Sequence, residues 1–246
     1  MISRMSTSEK RSGLSARDLY ETLTLSCGYR RASILERRKN ELFAYDETDN
    51  VVELSPHPLT SLEGIKFENK TIRQIAKFAR ELGLEEVKKI TLEEFNQEKT
   101  PSRDGLYLSQ AEIDVKIKHL DSPLHLKGDL LISKGGMWHI FEIKAYFVGS
   151  NLIKEDQIRE ACFQASLYVL GLRQANFAVS DMVNIVLRDY GNKFFISQYH
   201  EITREIEEFA KKIPKLLRNR EKALSISSCA RSCPMFYRCA DEEEEA

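Results

Sequence analysis

The chain has 246 residues, of which 42% are hydrophobic and 30% are charged, and its formal net charge is −1. These values are ordinary for a globular protein and predict one core large enough for a single domain. The N-terminal residues lack the apolar run of a secretory signal, and the longest apolar stretch, Leu167–Leu172, is far too short to span a bilayer. We therefore expect a soluble, cytoplasmic protein without a membrane partner.

The order of the predicted elements indicates the fold class. We expect a disordered arm at 1–13, a single domain at 14–240 and an acidic tail at 241–246. The stretch from 83 to 105 is interpreted as a charged connection. The elements in chain order are helices at Leu14–Leu25, Arg31–Glu41 and Leu62–Leu82, strands at Leu106–Ile117, Leu126–Ser133 and Met137–Phe147, a helix at Lys154–Leu172, strands at Phe177–Arg188 and Lys193–Tyr199, and a helix at Glu201–Leu224 bent at Pro214. This order predicts an α/β fold with a central mixed β-sheet flanked by helices.

Two glycines define the geometry of the middle of the chain. Gly135–Gly136 separates two apolar strands, and glycine accepts the positive φ angles that a two-residue hairpin turn requires. If these two residues form the turn, Lys134 pairs with Met137, and the same register places Asp129 opposite Glu142. Directly opposed residues on antiparallel strands share one face of the sheet. The turn therefore predicts two neighbouring carboxylates.

A lysine joins this pair. Lys144 lies two residues beyond Glu142 and so projects from the same face of the strand. Two carboxylates among apolar neighbours repel each other, and a divalent cation removes that repulsion; hard oxygen ligands favour magnesium or manganese. Such an ion lowers the pKa of a bound water, and Lys144 would hold that water or stabilise the transition state. The structural alternative is a surface salt bridge between Lys144 and either carboxylate.

These residues occur in an order that resembles a known nuclease family. Gly128-Asp129, then Glu142-Ile143-Lys144, then Gln164 and Tyr168 in Q-A-S-L-Y, are similar to the motifs of the RecB-like branch of the PD-(D/E)XK nucleases. The resemblance implies a PD-(D/E)XK nuclease core in which Asp129, Glu142 and the Ile143 carbonyl bind the metal. It further implies that Lys144 serves the nucleophile, that Gln164 positions water or phosphate, and that Tyr168 contacts the DNA strand.

An upstream glutamate stands where that family commonly has a histidine. The family motif is G-x-x-x-H, and here Gly64 is followed four residues later by Glu68. Glutamate is a suitable ligand for magnesium or manganese, so the resemblance makes Glu68 a candidate third ligand. The alternative interpretation is a solvated carboxylate in the first turn of a helix, where the helix dipole favours it.

Four of the five cysteines predict a second centre. Cys229, Cys233 and Cys239 lie within eleven residues, and Cys27 precedes them by about two hundred. Four thiolates fit either an iron–sulfur cluster or a structural zinc ion, and their spacing does not choose. The CRISPR-associated RecB-like exonucleases place one such cysteine before the nuclease core and three after it. This resemblance implies a cluster, 4Fe-4S, that joins the chain ends, whereas Cys162 is interpreted as a small buried hydrophobe.

The resulting expectation is a metal-dependent DNA exonuclease. The resemblance implies action on single-stranded ends in the 5′→3′ direction and a role in CRISPR spacer acquisition, with CRISPR integrase proteins as partners. A repair nuclease or a viral relative of the same family would have the same motifs, so these roles stay open. Two alternatives remain open, namely a non-catalytic DNA-binding adaptor with a structural iron–sulfur cluster and a zinc-stabilised binding protein. The sequence leaves the oligomeric state undetermined.

Overall fold

The computed structural model describes residues 15–24, 44–45, 51–52, 58–120, 123–148, 155–189 and 194–218. The predicted arm at 1–13, the predicted helix at Arg31–Glu41 and the acidic tail at 241–246 lie outside the described residues. The helices are α1 (Ala16–Thr24), α2 (Pro58–Arg73), α3 (Ile75–Glu81), α4 (Leu92–Gln97), α5 (Glu155–Gln174), α6 (Thr203–Ala210) and α7 (Ile213–Arg218). The strands are β1 (Ala44–Tyr45), β2 (Val51–Val52), β3 (Lys88–Lys89), β4 (Leu106–Val115), β5 (Leu124–Lys134), β6 (Met137–Val148), β7 (Val179–Asp189) and β8 (Phe194–His200).

Six strands form one mixed sheet, in the order β3-β4-β5-β6-β7-β8. The β3–β4 and β6–β7 pairs are parallel and the other neighbours are antiparallel, while β1 and β2 form a separate antiparallel pair. Parallel neighbours need a crossover connection, and α5 provides it between β6 and β7. The predicted α/β architecture with a mixed sheet flanked by helices is confirmed.

Helices cover both faces of the sheet, so the apolar core has two parts. On one face, residues of α2 and α3 pack against Leu130, Phe141 and Val186. On the other, α5 packs with α1 and α6 against Leu131, Ile140 and further strand residues. Because each strand offers alternate side chains to the two faces, β5 and β6 contribute to both cores. Among the described helices, none is long and apolar enough to cross a membrane.

Three helical predictions needed correction. The helix predicted at Leu62–Leu82 begins at Pro58 and is interrupted at Gln74. The predicted charged connection contains α4, whose first turn is closed by a capping box: Thr91 accepts from the Glu94 N–H, and Glu94 accepts from the Thr91 N–H. The helix predicted from Glu201 with a bend at Pro214 is two helices, α6 and α7, which are separated at 211–212, just before that proline. Its predicted end beyond Arg218 lies outside the described residues.

Candidate active site

The hairpin has the predicted register next to its turn, but the predicted pair of Asp129 and Glu142 lies beyond the paired residues. Gly135 and Gly136 have φ angles of 59° and 71°, and Lys134 pairs with Met137. The pairing runs in this register to Leu130 opposite Phe141. Beyond that pair, the backbone N–H of Ile143 donates a hydrogen bond of 2.7 Å to Oδ2 of Asp129. A side-chain acceptor thus takes the place of a backbone carbonyl of the neighbouring strand. The carboxylate of Asp129 is therefore fixed beside the E-I-K segment.

The adjacent strand changes face at the same level. In the β4–β5 register, Gln110 and Asp129 fall between the pairs Ser109–Leu130 and Ala111–Gly128, and the φ angle of Gln110, 56°, is in the left-handed region. The pairing of β4 with β5 keeps the same offset on both sides of Gln110. The buried residues of β4, however, have even numbers before Gln110 and odd numbers after it. The buried positions are Leu106 and Leu108 before Gln110, and Ala111, Ile113 and Val115 after it. At Gln110, therefore, β4 changes which of its alternate side chains are buried. Asp129, at the same level of the sheet, is half-buried.

Lys144 lies between a carboxylate of its own strand and an amide of α5. Its Nζ is 2.7 Å from Oε1 of Glu142 and donates a hydrogen bond of 2.6 Å to Oε1 of Gln164. Glu142 is buried, with 8% of its surface exposed. The structure therefore brings together three of the predicted residues from β6 and α5, and the crossover topology is what places α5 over the strand.

The electrostatics of the site centre on Asp129. Its pKa is raised to about 8, first by burial and then by the negative charge of Glu142, with a smaller contribution from Glu68. The Ile143 N–H and the Lys144 ammonium oppose this rise. One ammonium does not offset the cost of ionising a second buried carboxylate. A cation placed between these oxygens would reverse the direction of the shift.

Tyr168 is enclosed by the protein. The side chain is 2% exposed, and its hydroxyl donates a hydrogen bond of 2.8 Å to the Ala111 carbonyl. The expected contact between Tyr168 and the DNA strand stays a prediction. A Cβ at Gly128 would lie 2.6 Å from Cζ of Tyr168, so only glycine admits the ring. Burial also raises the pKa of the Tyr168 hydroxyl, which keeps it a hydrogen-bond donor. The residue fastens α5 to β4 and β5.

Glu68 lies close to the site but is not in the predicted position on its helix. Helix α2 begins at Pro58, so Glu68 is in its second half and is not a first-turn carboxylate. Its Oε1 accepts a hydrogen bond of 3.0 Å from Nε2 of Gln110, and its charge contributes to the raised pKa of Asp129. Among the described residues no three His, Cys, Asp or Glu side chains gather into a metal-binding group. Direct coordination by Glu68 stays a prediction.

Sequence reasoning missed two neighbours of the site. Gln110 lies inside a predicted strand, and nothing in the strand pattern marks its left-handed conformation. Glu160 was not singled out, although it precedes Gln164 by four residues and so lies on the same face of α5. It accepts a hydrogen bond of 3.2 Å from Nε2 of Gln164. That helical spacing is the signal that would have identified it.

The four cysteines of the predicted cluster, Cys27, Cys229, Cys233 and Cys239, lie outside the described residues. Cys162 is confirmed as a buried residue of the core, with 8% exposed, and burial raises the pKa of its thiol to about 11. A thiol with this pKa is inert at neutral pH.

No family model matches the sequence, and no curated protein matches it. Several solved structures are similar in fold. Alkaline exonuclease from Laribacter hongkongensis has 11% identity and a TM-score of 0.46, over 96% of this chain and 95% of that one. A candidate exonuclease from Eubacterium rectale has 11% identity and a TM-score of 0.45, over 94% and 100%. The protein SSO0001 has 12% identity and a TM-score of 0.45, over 95% and 89%.

Proposed function

We propose that the protein is a metal-dependent deoxyribonuclease that hydrolyses phosphodiester bonds. The observation that carries this proposal is the pair of carboxylates on the β5–β6 hairpin. Asp129 has a pKa of about 8 because it is buried beside Glu142, and Lys144 is held at the same place. A strongly perturbed carboxylate next to a second carboxylate and an ammonium is a typical arrangement for a functional site.

The residues present fit a magnesium or manganese ion. Asp129 and Glu142 would hold the ion, and the Ile143 carbonyl and water molecules would complete its coordination, since magnesium usually keeps several waters and few protein ligands. Glu68 is the candidate for an additional ligand. When bound, the ion supplies an activated water and positive charge beside the scissile phosphate.

The chain's own residues would orient the reaction. The Lys144 ammonium, fixed between Glu142 and Gln164, would direct a hydrogen bond to the attacking water and to the negative charge that develops on the phosphate. Gln164 would keep the ammonium in place or contact the phosphate. Tyr168 would act indirectly, because its ring and hydroxyl fix α5 against the sheet.

The finer parts of the proposal come from the motif resemblance. We propose single-stranded DNA ends as the substrate, 5′→3′ exonuclease polarity, and a role in CRISPR spacer acquisition with integrase proteins as partners. Cys27, Cys229, Cys233 and Cys239 would hold an iron–sulfur cluster, 4Fe-4S. A brown protein that absorbs near ~400 nm would support the cluster, and a colourless protein with one equivalent of zinc would contradict it.

The decisive experiment is degradation of linear single-stranded DNA by the purified protein, with manganese and with chelator. We expect degradation with manganese, none with chelator, and loss to the chelator level in Glu142→Gln. Substrates labelled at the 5′ or the 3′ end give the polarity, and a circular single strand, which has no ends, separates exonuclease from endonuclease action.

Glu201→Gln is the matched control, because Glu201 is a partly buried carboxylate outside the site, and we expect it to keep wild-type activity. Full activity in Glu142→Gln would contradict the proposed site. A wild-type protein that binds DNA and never cleaves it would identify a DNA-binding adaptor instead.

A further inference from the structure

The amide of Gln164 has a defined orientation in the site. Its carbonyl oxygen accepts from the Lys144 ammonium at 2.6 Å, and its amide nitrogen donates to Glu160 at 3.2 Å. An ammonium donates only and a carboxylate accepts only, so each end of the amide meets the group that it complements. Turning the amide by 180° would place two donors against each other at Lys144 and two acceptors against each other at Glu160.

Glu160 therefore favours the same orientation of the Gln164 amide as the Lys144 ammonium does. It precedes Gln164 by four residues on α5, a spacing that places the two side chains side by side. Its side chain is 21% exposed, so it lies at the border of the site and not in the core. The Nε of Arg17 in α1 is 3.9 Å from the same carboxylate oxygen, which links that helix to the border as well.

We propose that Glu160 is a positioning residue for the lysine of the site. It does not touch the reacting atoms; it orients the Gln164 amide, and the amide orients the Lys144 ammonium. The inference rests on the proposed function, because it assigns the consequence of that orientation to phosphodiester cleavage. It predicts that the presence of a hydrogen-bond acceptor at residue 160 controls the turnover rate and has little influence on folding.

Three variants test this relay, two at residue 160 and one control. Glu160→Gln keeps an acceptor for the Gln164 amide, so we expect turnover within about threefold of wild type. Glu160→Lys offers only donors and favours the reversed amide; we expect kcat to fall by about 10- to 100-fold, the scale of a misplaced catalytic group. In the proposed function the added positive charge would attract the DNA phosphates, so KM should stay constant or decrease. Glu207→Lys, the same change at an exposed helical glutamate, is the control and should leave kcat unchanged.

A further variant, Gln164→Glu, replaces the amide by a carboxylate, whose two oxygens are equivalent. A carboxylate has two acceptor oxygens, so it accepts from Lys144 in either orientation. In the Gln164→Glu background we expect Glu160→Lys to cause no further loss of kcat, because the introduced ammonium then pairs with the introduced carboxylate along the helix. An equal loss in both backgrounds would overturn the proposal, since it would show that Glu160 acts independently of the amide.

A spectroscopic measurement keeps the inference separate from the proposed function. In the nitrogen-15 spectrum, we expect the side-chain amide resonances of Gln164 and the Lys144 ammonium resonance to change in Glu160→Lys and to be preserved in Glu160→Gln. Unchanged resonances in Glu160→Lys would overturn the orienting role. If the wild type fails to cleave DNA but these resonances respond as expected, the proposed function is wrong and the orienting role of Glu160 stands.

Discussion

Helix α5 contacts two charged clusters, each with two carboxylates and one cation, in which the pKa of a carboxylate is shifted in opposite directions. Near its middle, the site cluster combines Asp129 and Glu142 with the Lys144 ammonium. Near its C-terminal end, Arg173 lies 2.6 Å from Asp181 and 2.8 Å from Glu201. In the site cluster, the pKa of Asp129 is raised to about 8, whereas in the Arg173 cluster the pKa of Glu201 is lowered.

The number and direction of hydrogen-bond donors account for this difference. Burial raises the pKa of Glu201 too, but hydrogen bonds from Thr203 and the Arg173 guanidinium outweigh it. The guanidinium is planar and has several donors, so it serves both carboxylates at once. The ammonium of Lys144 is divided between Glu142 and Gln164, and Asp129 gains one backbone N–H. The Arg173 cluster is electrostatically complete, and the site cluster leaves room for a further cation.

The largest expected effect is on the rate of DNA cleavage, and it should distinguish Lys144 from Arg173. Lys144→Met should reduce DNA cleavage by about 100- to 1,000-fold, the usual result of removing one preorganised charged donor. Arg173→Met should leave cleavage unchanged and destabilise the fold by about 1 kcal/mol, since Arg173 is 32% exposed and its ion pairs are screened by solvent. Cleavage rates and urea unfolding of both variants measure the contrast. A large loss of cleavage in Arg173→Met would place the second cluster in the reaction.

The next largest effect is on how the stability of the metal-free protein changes with pH. The folded-state pKa of Asp129 is above its unfolded value, so the folded protein binds more protons between about pH 4 and pH 8. Stability from this group is present below about pH 4 and is lost as the pH rises through about 8. We expect Asp129→Asn to lose this dependence, and manganese to restore stability near pH 8 in the wild type only.

Glu201 should show the opposite sign. Its pKa is lowered, so its stability contribution is present above the ordinary value of 4.5 and is lost as the pH falls through the lowered folded value. Glu201→Gln should therefore flatten the acid side of the stability curve without changing the region where Asp129 titrates. Thermal unfolding across the pH range checks both signs, and a decline between about pH 4 and 8 that persists in Asp129→Asn would assign it to another group.

The smallest effects concern the attachment of α5 to the sheet. Tyr168→Phe removes one buried hydrogen bond to the Ala111 carbonyl and should destabilise the protein by about 1 kcal/mol. Gly128→Ala should cost about 1–3 kcal/mol, because its Cβ would overlap the Tyr168 ring. For a chain of this size each kcal/mol lowers the melting temperature by roughly 2–4 °C. Equal melting temperatures for wild type and Gly128→Ala would mean that the ring moves without cost.

The sequence predicted the features that depend on local chemistry. The Gly135–Gly136 turn fixes the register of its two strands over a few residues, and this part of the prediction is confirmed. The α4 capping box is equally local, because Thr91 and Glu94 have the spacing that is typical of it. This helix could therefore have been predicted from the sequence. The break at 211–212 lies just before Pro214, whose ring has no N–H to continue the preceding helix, so it too has a local signal. The break at Gln74 depends on packing, which no short pattern contains.

The contacts of the site that were not predicted join distant parts of the chain. Tyr168 reaches a carbonyl 57 residues earlier, and Glu68 reaches Gln110 across 42 residues. The motif order identified which residues belong near the site, but it did not determine that the tyrosine is enclosed or that Gln110 adopts a left-handed conformation. Such details follow from how α2 and α5 lie on the sheet.

The site residues from Gly128 to Tyr168 all belong to consecutive elements, namely β5, β6 and the crossover helix α5. Contacts between elements close in sequence require little loop-closure entropy and tend to form early in folding. We infer that this part of the molecule gains protection from amide hydrogen exchange before α2 docks, because α2 is separated from β5 by α3, β3, α4 and β4. The full electrostatic cost at Asp129 would then arise only when α2 docks and brings the charge of Glu68 close to its carboxylate.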